Sequence, residues 1–213
     1  KVFINQSTLN EGLVYLIFGL NSYCMNFLAH SILSPQKPLI MLGNLAGDFV
    51  KGNKMIGLHQ NIIVGVKMHR SIDTFTDSHP LVKEAKGIVR SEFRLFSGVV
   101  IDMFWDYFVA NSMIESGSNV LSNHINYVYN SANTNFNYLP EAFKPVFPYM
   151  EKHNWLGAYS TKEGLESIML QMRYRIGNKS PLDQAVRILE MHEQEFQQLF
   201  NQFWKEALKE FNY

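Results

Sequence analysis

The chain has 213 residues, 46% hydrophobic and 18% charged, which excludes a disordered segment and supplies enough apolar mass for one well-filled core. Lys plus Arg and Asp plus Glu balance at 19 each, so the basic excess of a general nucleic-acid binder is missing, although a local basic patch can hide in a neutral total. The single cysteine, Cys24, excludes an intramolecular disulfide and any cysteine-rich zinc or iron–sulfur site, and a reducing cytoplasm is the expected compartment.

Residues 1–24 mix Asn, Ser and Gly with short apolar runs and show no clear period. The apolar stretch Leu13–Leu20 is far shorter than the roughly 20 residues needed to span a bilayer. Neither a basic cluster before it nor a small-residue cleavage site after it marks a secretion signal. We read 1–24 as an N-terminal extension and 25–213 as one helical domain.

A helical pattern starts at Met25 in MNFLAHSIL and is broken by Pro35 and Pro38, after which Leu39–Val50 begins another. Ile56–Asp77 carries Ile62, Val66, Ile72 and Phe75, closed by His79-Pro80, and Leu81–Phe96 carries Val82, Ala85, Val89 and Phe93. Ser97 is a plausible N-cap for a strongly apolar helix over 98–112. The pattern continues through Ile114–Asn130 and Phe136–Met150, which the polar stretch NSANTN separates. Thr161, with Glu163 and Glu166 after it, starts a helix to Tyr174, and the last helix follows Ser180-Pro181 and runs to Glu210. With no alternating strand pattern, no repeat and no low-complexity tract, the chain reads as all-α, a single compact multi-helix domain.

Three polar clusters stand where core helices should be apolar. In SGVVIDMFWDYFVA, Asp102 and Asp106 are four residues apart on one face of an otherwise hydrophobic helix. Burying two like charges is costly, and a bound cation or strong Arg or His partners would resolve it; an exposed Asp and an Asp–Arg pair is the plainer alternative. In GVKMHRSIDTFTD, His69, Asp73 and Asp77 line one stripe at i, i+4 and i+8, with Arg70 beside it. Imidazole with carboxylate suits Mn²⁺, Fe²⁺ or Zn²⁺, and Arg70 can take a phosphate oxygen with its planar fork, yet an exposed helix ion pair has the same spacing. His30 in MNFLAH and Asp48 in GNLAGDFVKG form the third cluster, where Gly43 and Gly47 permit close approach. Alone, His30 is an ordinary core histidine and Asp48 a cap. Taken together, two histidines and four carboxylates from four helices look like a hard-cation site, and no glycine-rich phosphate loop, G-x-S-x-G elbow or H-E-x-x-H motif competes.

MNFLAH, GN-x-x-x-DFVKG, G-x-x-x-HR-x-ID-x-x-TD and D-x-x-WD-x-F resemble, in order and spacing, the acyl carrier protein phosphodiesterase family. The likeness runs from Met25 to the C-terminus and is most specific between Met25 and Phe108. It implies a helical hydrolase distantly related to the HD-domain phosphohydrolases. Such an enzyme cleaves the phosphodiester joining 4′-phosphopantetheine to a serine of acyl carrier protein, with Mn²⁺ as the usual metal and Mg²⁺, Fe²⁺ or Co²⁺ as alternatives. A literal His-Asp dipeptide is missing, because Arg70 follows His69. On this reading His30, Asp48, His69, Asp73 and Asp106 hold metal. His69, Asp73, Asp102 and Arg70 act in catalysis, and Lys67, Arg70, Arg90 and Arg94 bind substrate. Lys83, Lys86, Arg90 and Arg94 make a positive stripe suited to the acidic carrier, unless they are an ordinary solvated face. Rings around Phe136–Trp155 either shape a pantetheine channel or pack the core. Two rivals share these features: an HD-type phosphohydrolase of a nucleotide or other small phosphodiester, and a non-catalytic helical module that binds carrier proteins. No nucleic-acid or membrane partner is expected.

Overall fold

Helices and short 3-10 turns account for the fold of residues 26–52 and 54–211, which the computed structural model describes, and no strand occurs among them. The reading of 1–24 as an extension lies outside the described residues. In chain order the helices are α1 (Phe27–Ile32), α2 (Pro38–Leu45), α3 (Gln60–Ser78), α4 (Pro80–Phe93), α5 (Ser97–Ser116) and α6 (Val120–Thr134). They continue with α7 (Phe147–Lys152), α8 (Trp155–Ala158), α9 (Lys162–Arg175), α10 (Ala185–Met191) and α11 (Glu193–Phe211). None among the described residues is long and apolar enough to cross a membrane.

Local chemistry sets several starts. Pro38 and Pro80 open α2 and α4, where a missing N–H is harmless. His59 and His79 cap α3 and α4, each ring accepting a backbone N–H, from Asn61 at 3.1 Å and from Leu81 at 3.3 Å. Thr161 Oγ1 accepts from Gly164 N at 3.0 Å and starts α9 as expected. Ser97 does not cap α5: a 3-10 turn over Arg94–Phe96 runs straight into the helix, and the Ser97 hydroxyl donates to Arg94 O at 2.7 Å.

Two expected helices are broken. Phe136–Met150 contains Pro140, Pro145 and Pro148, and the chain folds there as a 3-10 turn, Phe136–Tyr138, further turns and the short α7. After Pro181 comes the 3-10 turn Leu182–Gln184, and His192, at φ −123° and ψ 21°, separates α10 from α11.

The centre of the molecule is α5, buried on every side from Val99 to Ala110. Rings of α11 pack along it, Phe196 on Phe104 and Phe200 on Trp105 and Phe108, with centroids 5.1–5.6 Å apart. On another flank α2 and α3 touch backbone to backbone. A Cβ on Gly43 would lie 2.3 Å from Ile62 O, and one on Gly65 would lie 2.1 Å from Ile40 O, so only glycine permits this approach. That contact positions the site.

Candidate metal centre

Four short segments meet at one point. His30 stands on α1 and Asn44 near the end of α2, Asp48 lies in the 3-10 turn Gly47–Phe49, and His69 and Asp73 lie one turn apart on α3. The ring of His69 fits only because residue 47 is glycine, since a Cβ there would fall 2.2 Å from the ring. The two imidazoles stack with centroids 4.1 Å apart. His30 Nε2 is 3.2 Å from Asp73 Oδ1, and His69 Nε2 is 3.3 Å from both Asp73 Oδ2 and Asp48 Oδ1. His30, His69 and Asp73 each offer one ligand atom, all within 4.8 Å of one another.

The protonation pattern follows from what lies behind the rings. His69 Nδ1 is 2.8 Å from the carbonyl of Asn44, a pure acceptor, so this nitrogen carries hydrogen. His30 Nδ1 is 2.8 Å from Asn44 Oδ1 and carries hydrogen too. In the neutral rings both Nε2 atoms are then bare lone pairs facing carboxylate oxygens. His30 Nε2 is fully buried and has no aligned hydrogen bond despite the nearness of Asp73. Acceptors facing acceptors are relieved by a proton, as on His69 Nε2 towards Asp48, or by a metal ion, and imidazole with carboxylate is a donor set that fits Mn²⁺, Fe²⁺ or Zn²⁺. Charge on His30 is disfavoured: burial lowers its pKa, and His69 at stacking distance lowers it further. Burial also works against charge on His69, but the Asp48 hydrogen bond and the Asp73 and Asp48 charges raise its pKa on balance. Burial pushes Asp73 up, and the two histidines outweigh it, holding this carboxyl below its ordinary value.

The other expected residues lie elsewhere. Asp106 is fully buried and accepts backbone N–H groups at the start of α1, from Leu28 at 3.1 Å and Ala29 at 2.8 Å. Burial holds its carboxyl well above the usual range, against the pull of those two N–H groups. It thus anchors the helix that carries His30 and is not in the converging group. Asp102, one turn earlier, is buried close enough to raise Asp106 further. Asp77 continues the α3 stripe outward and pairs with Lys86 at 2.7 Å. Arg70 turns back to hold a loop, donating to Val50 O at 2.9 Å and Gly52 O at 2.6 Å. Lys67 is exposed two residues before His69, on the other flank of α3. Lys83, Arg90 and Arg94 are exposed on and just after α4. Of the rings around Phe136–Trp155, Phe143 and Phe147 are core, whereas Tyr149 and Trp155 line a cavity of about 440 Å³ with Tyr159, Tyr174 and Arg175.

Asn44, the Asn of the GN-x-x-x-D motif, completes the site from the end of α2. Its one signal was an amide in an otherwise apolar helix, PLIMLGNL. His124 carries no sequence signal of its own. It pairs with buried Ser31 behind α1, Nε2 to Oγ at 2.8 Å, and burial lowers its pKa to about 4.

Fold and site together define, over the described residues, an all-helical protein in which two buried histidines and the half-buried Asp73 form a group suited to a divalent cation. Residues 25–207 match the acyl carrier protein phosphodiesterase family, and the chain belongs to it. It is thereby a phosphoric diester hydrolase. A relative in Photorhabdus laumondii, named acyl carrier protein phosphodiesterase, is 30% identical over 183 residues, 84% of this chain and 91% of its own. Relatives of the same name in Pectobacterium atrosepticum and Yersinia pestis are 30% and 29% identical, each over 87% of this chain and 96% and 97% of their own lengths. No solved structure matches the chain.

Proposed function

We propose that this chain hydrolyses the phosphodiester between 4′-phosphopantetheine and a serine of acyl carrier protein, with a divalent cation held by His30, His69, Asp73 and, at the rim, Asp48. The observation that carries the reading is the convergence of His30, His69 and Asp73, whose ligand atoms lie within 4.8 Å of one another, in a chain of this family. Mn²⁺ is the favoured ion, with Mg²⁺, Fe²⁺ or Co²⁺ as alternatives. When bound, such an ion polarises a phosphoryl oxygen and makes water more acidic.

The chain supplies positioning and proton transfer. Water adds its oxygen to phosphorus, the bond from phosphorus to the serine oxygen breaks, and the water proton ends on that oxygen. Apo carrier and free 4′-phosphopantetheine result. Asp48 lies as close to His69 Nε2 as Asp73 does, at 3.3 Å, and is partly open to solvent, so it orients the attacking water, takes its proton and passes it through solvent to the departing serine oxygen. Asp106 holds α1 and hence His30 in place. Arg70 shapes the loop at 50–52 beside Asp48 and acts on substrate through that loop. Lys83, Arg90 and Arg94 offer the acidic carrier a positive face.

Intact-protein mass spectrometry of holo carrier tests the reading, with Mn²⁺ and with EDTA. Metal-dependent loss of the whole phosphopantetheine mass is expected. No change with Mn²⁺, Mg²⁺, Fe²⁺ or Co²⁺ contradicts it.

A further inference from the structure

We infer that Asn44 is the positioning residue that prepares both histidines for a cation, holding each ring through Nδ1 so that both Nε2 lone pairs face one point. The inference rests on the metal-centre reading above. Asn44 has no solvent exposure. Its amide nitrogen donates to His30 O and to Ser34 Oγ, each at 2.8 Å. The Ser34 hydroxyl itself donates to His30 O at 2.8 Å, so towards Asn44 it is an acceptor. These contacts fix which end of the amide is nitrogen and leave Oδ1 to accept from His30 Nδ1 at 2.8 Å. The carbonyl of the same residue accepts from His69 Nδ1, also at 2.8 Å. One residue therefore grips the two rings through different atoms, side chain for His30 and backbone for His69.

The backbone grip depends on the glycine contact between α2 and α3, since a Cβ on Gly65 would lie 2.6 Å from Asn44 N. Partners of this kind set the tautomer of a ligating histidine and raise its basicity. Substituting the side chain should release His30 alone, because the carbonyl that holds His69 stays.

The test compares wild type, Asn44→Leu, which keeps the branched shape at a larger volume but cannot accept a hydrogen bond, and Asn44→Asp, which still can. Nitrogen-15 spectra of the imidazoles in the metal-free protein report the tautomers, and calorimetric titration with Mn²⁺ reports affinity. In wild type both rings should carry hydrogen at Nδ1. In Asn44→Leu, His30 should lose its single tautomer while His69 keeps its own, and Mn²⁺ affinity should fall about 10- to 100-fold. Asn44→Asp keeps the acceptor for His30 Nδ1 but loses the donors to His30 O and Ser34 Oγ, so its affinity should fall clearly less than that of Asn44→Leu. Hydrogen on His30 Nε2 in wild type overturns the inference, as does unchanged affinity in Asn44→Leu, or an equal fall in both variants. Should Asn44→Leu fail to fold, Ser34→Ala removes one anchor of the amide and should move the His30 signals in the same direction by less. No movement there counts against the inference. A wild type with these tautomers that takes up no Mn²⁺ overturns the metal-centre reading instead, a separate result.

Discussion

Asp106 has no exposed surface and accepts the N–H groups of Leu28 and Ala29, which have no partner within the first turn of α1. Asp106→Ala leaves both groups buried and unpaired, and should lower stability by about 2–4 kcal/mol in urea melts. An unchanged midpoint contradicts the anchoring role. Asp73→Ala should leave the melt nearly unchanged while Mn²⁺ affinity falls more than about 100-fold, since even outer partners of a metal site carry 10- to 100-fold. Wild-type affinity in that variant removes Asp73 from the site. His124 gives a stability prediction in acid. Its folded pKa of about 4 lies below the ordinary 6.5, so the unfolded chain binds the proton first. The stability it contributes is complete above pH 6.5 and is lost as pH falls towards 4, by on the order of 2–3 kcal/mol. His124→Gln should flatten the stability profile by that amount in this window, and an unchanged slope counts against it.

At the scale of elements, α2 and α3 form the frame of the site, and their contact tolerates no side chain at residues 43 and 65. Gly65→Ala should cost about 1–3 kcal/mol or more and weaken Mn²⁺ binding too, because Asn44 O and His69 Nδ1 would be pushed apart. A destabilised variant with intact Mn²⁺ affinity would separate the frame from the site. Most helices were legible in the sequence, because burial of one face repeats every three to four residues in α3 and α4 and leaves a pattern. The segment after Asn135 misled because its apolar spacing hid three prolines. The site was half legible. His69 and Asp73 share a helix face whatever the fold, so spacing alone joins them. His30 and Asp48 join them only through packing between α1, α2 and α3. Asp106 shows the opposite limit: periodicity gives the face a carboxylate occupies, and what meets that face is here a helix start.

For the whole molecule, formal charge sums to zero, yet Lys83, Arg90 and Arg94 leave one exposed positive stretch at α4. If an acidic carrier docks there, KM should rise steeply with salt, and Arg90→Glu with Arg94→Glu should raise KM at least about tenfold at low salt with kcat little changed. A KM indifferent to salt and to reversal rejects this face. On the proposed reading, binding and chemistry would occupy different parts of the fold, the stripe on α4 and the His-His-Asp group under α1. The proposed function rests on the His-His-Asp group, and pulsed electron paramagnetic resonance of the Mn²⁺-loaded protein, with ¹⁵N-labelled histidine, tests that group most directly. Couplings from two histidine nitrogens are predicted, one lost in His30→Ala and the other in His69→Ala. Mn²⁺ bound without histidine coupling, or couplings that survive both substitutions, would contradict it.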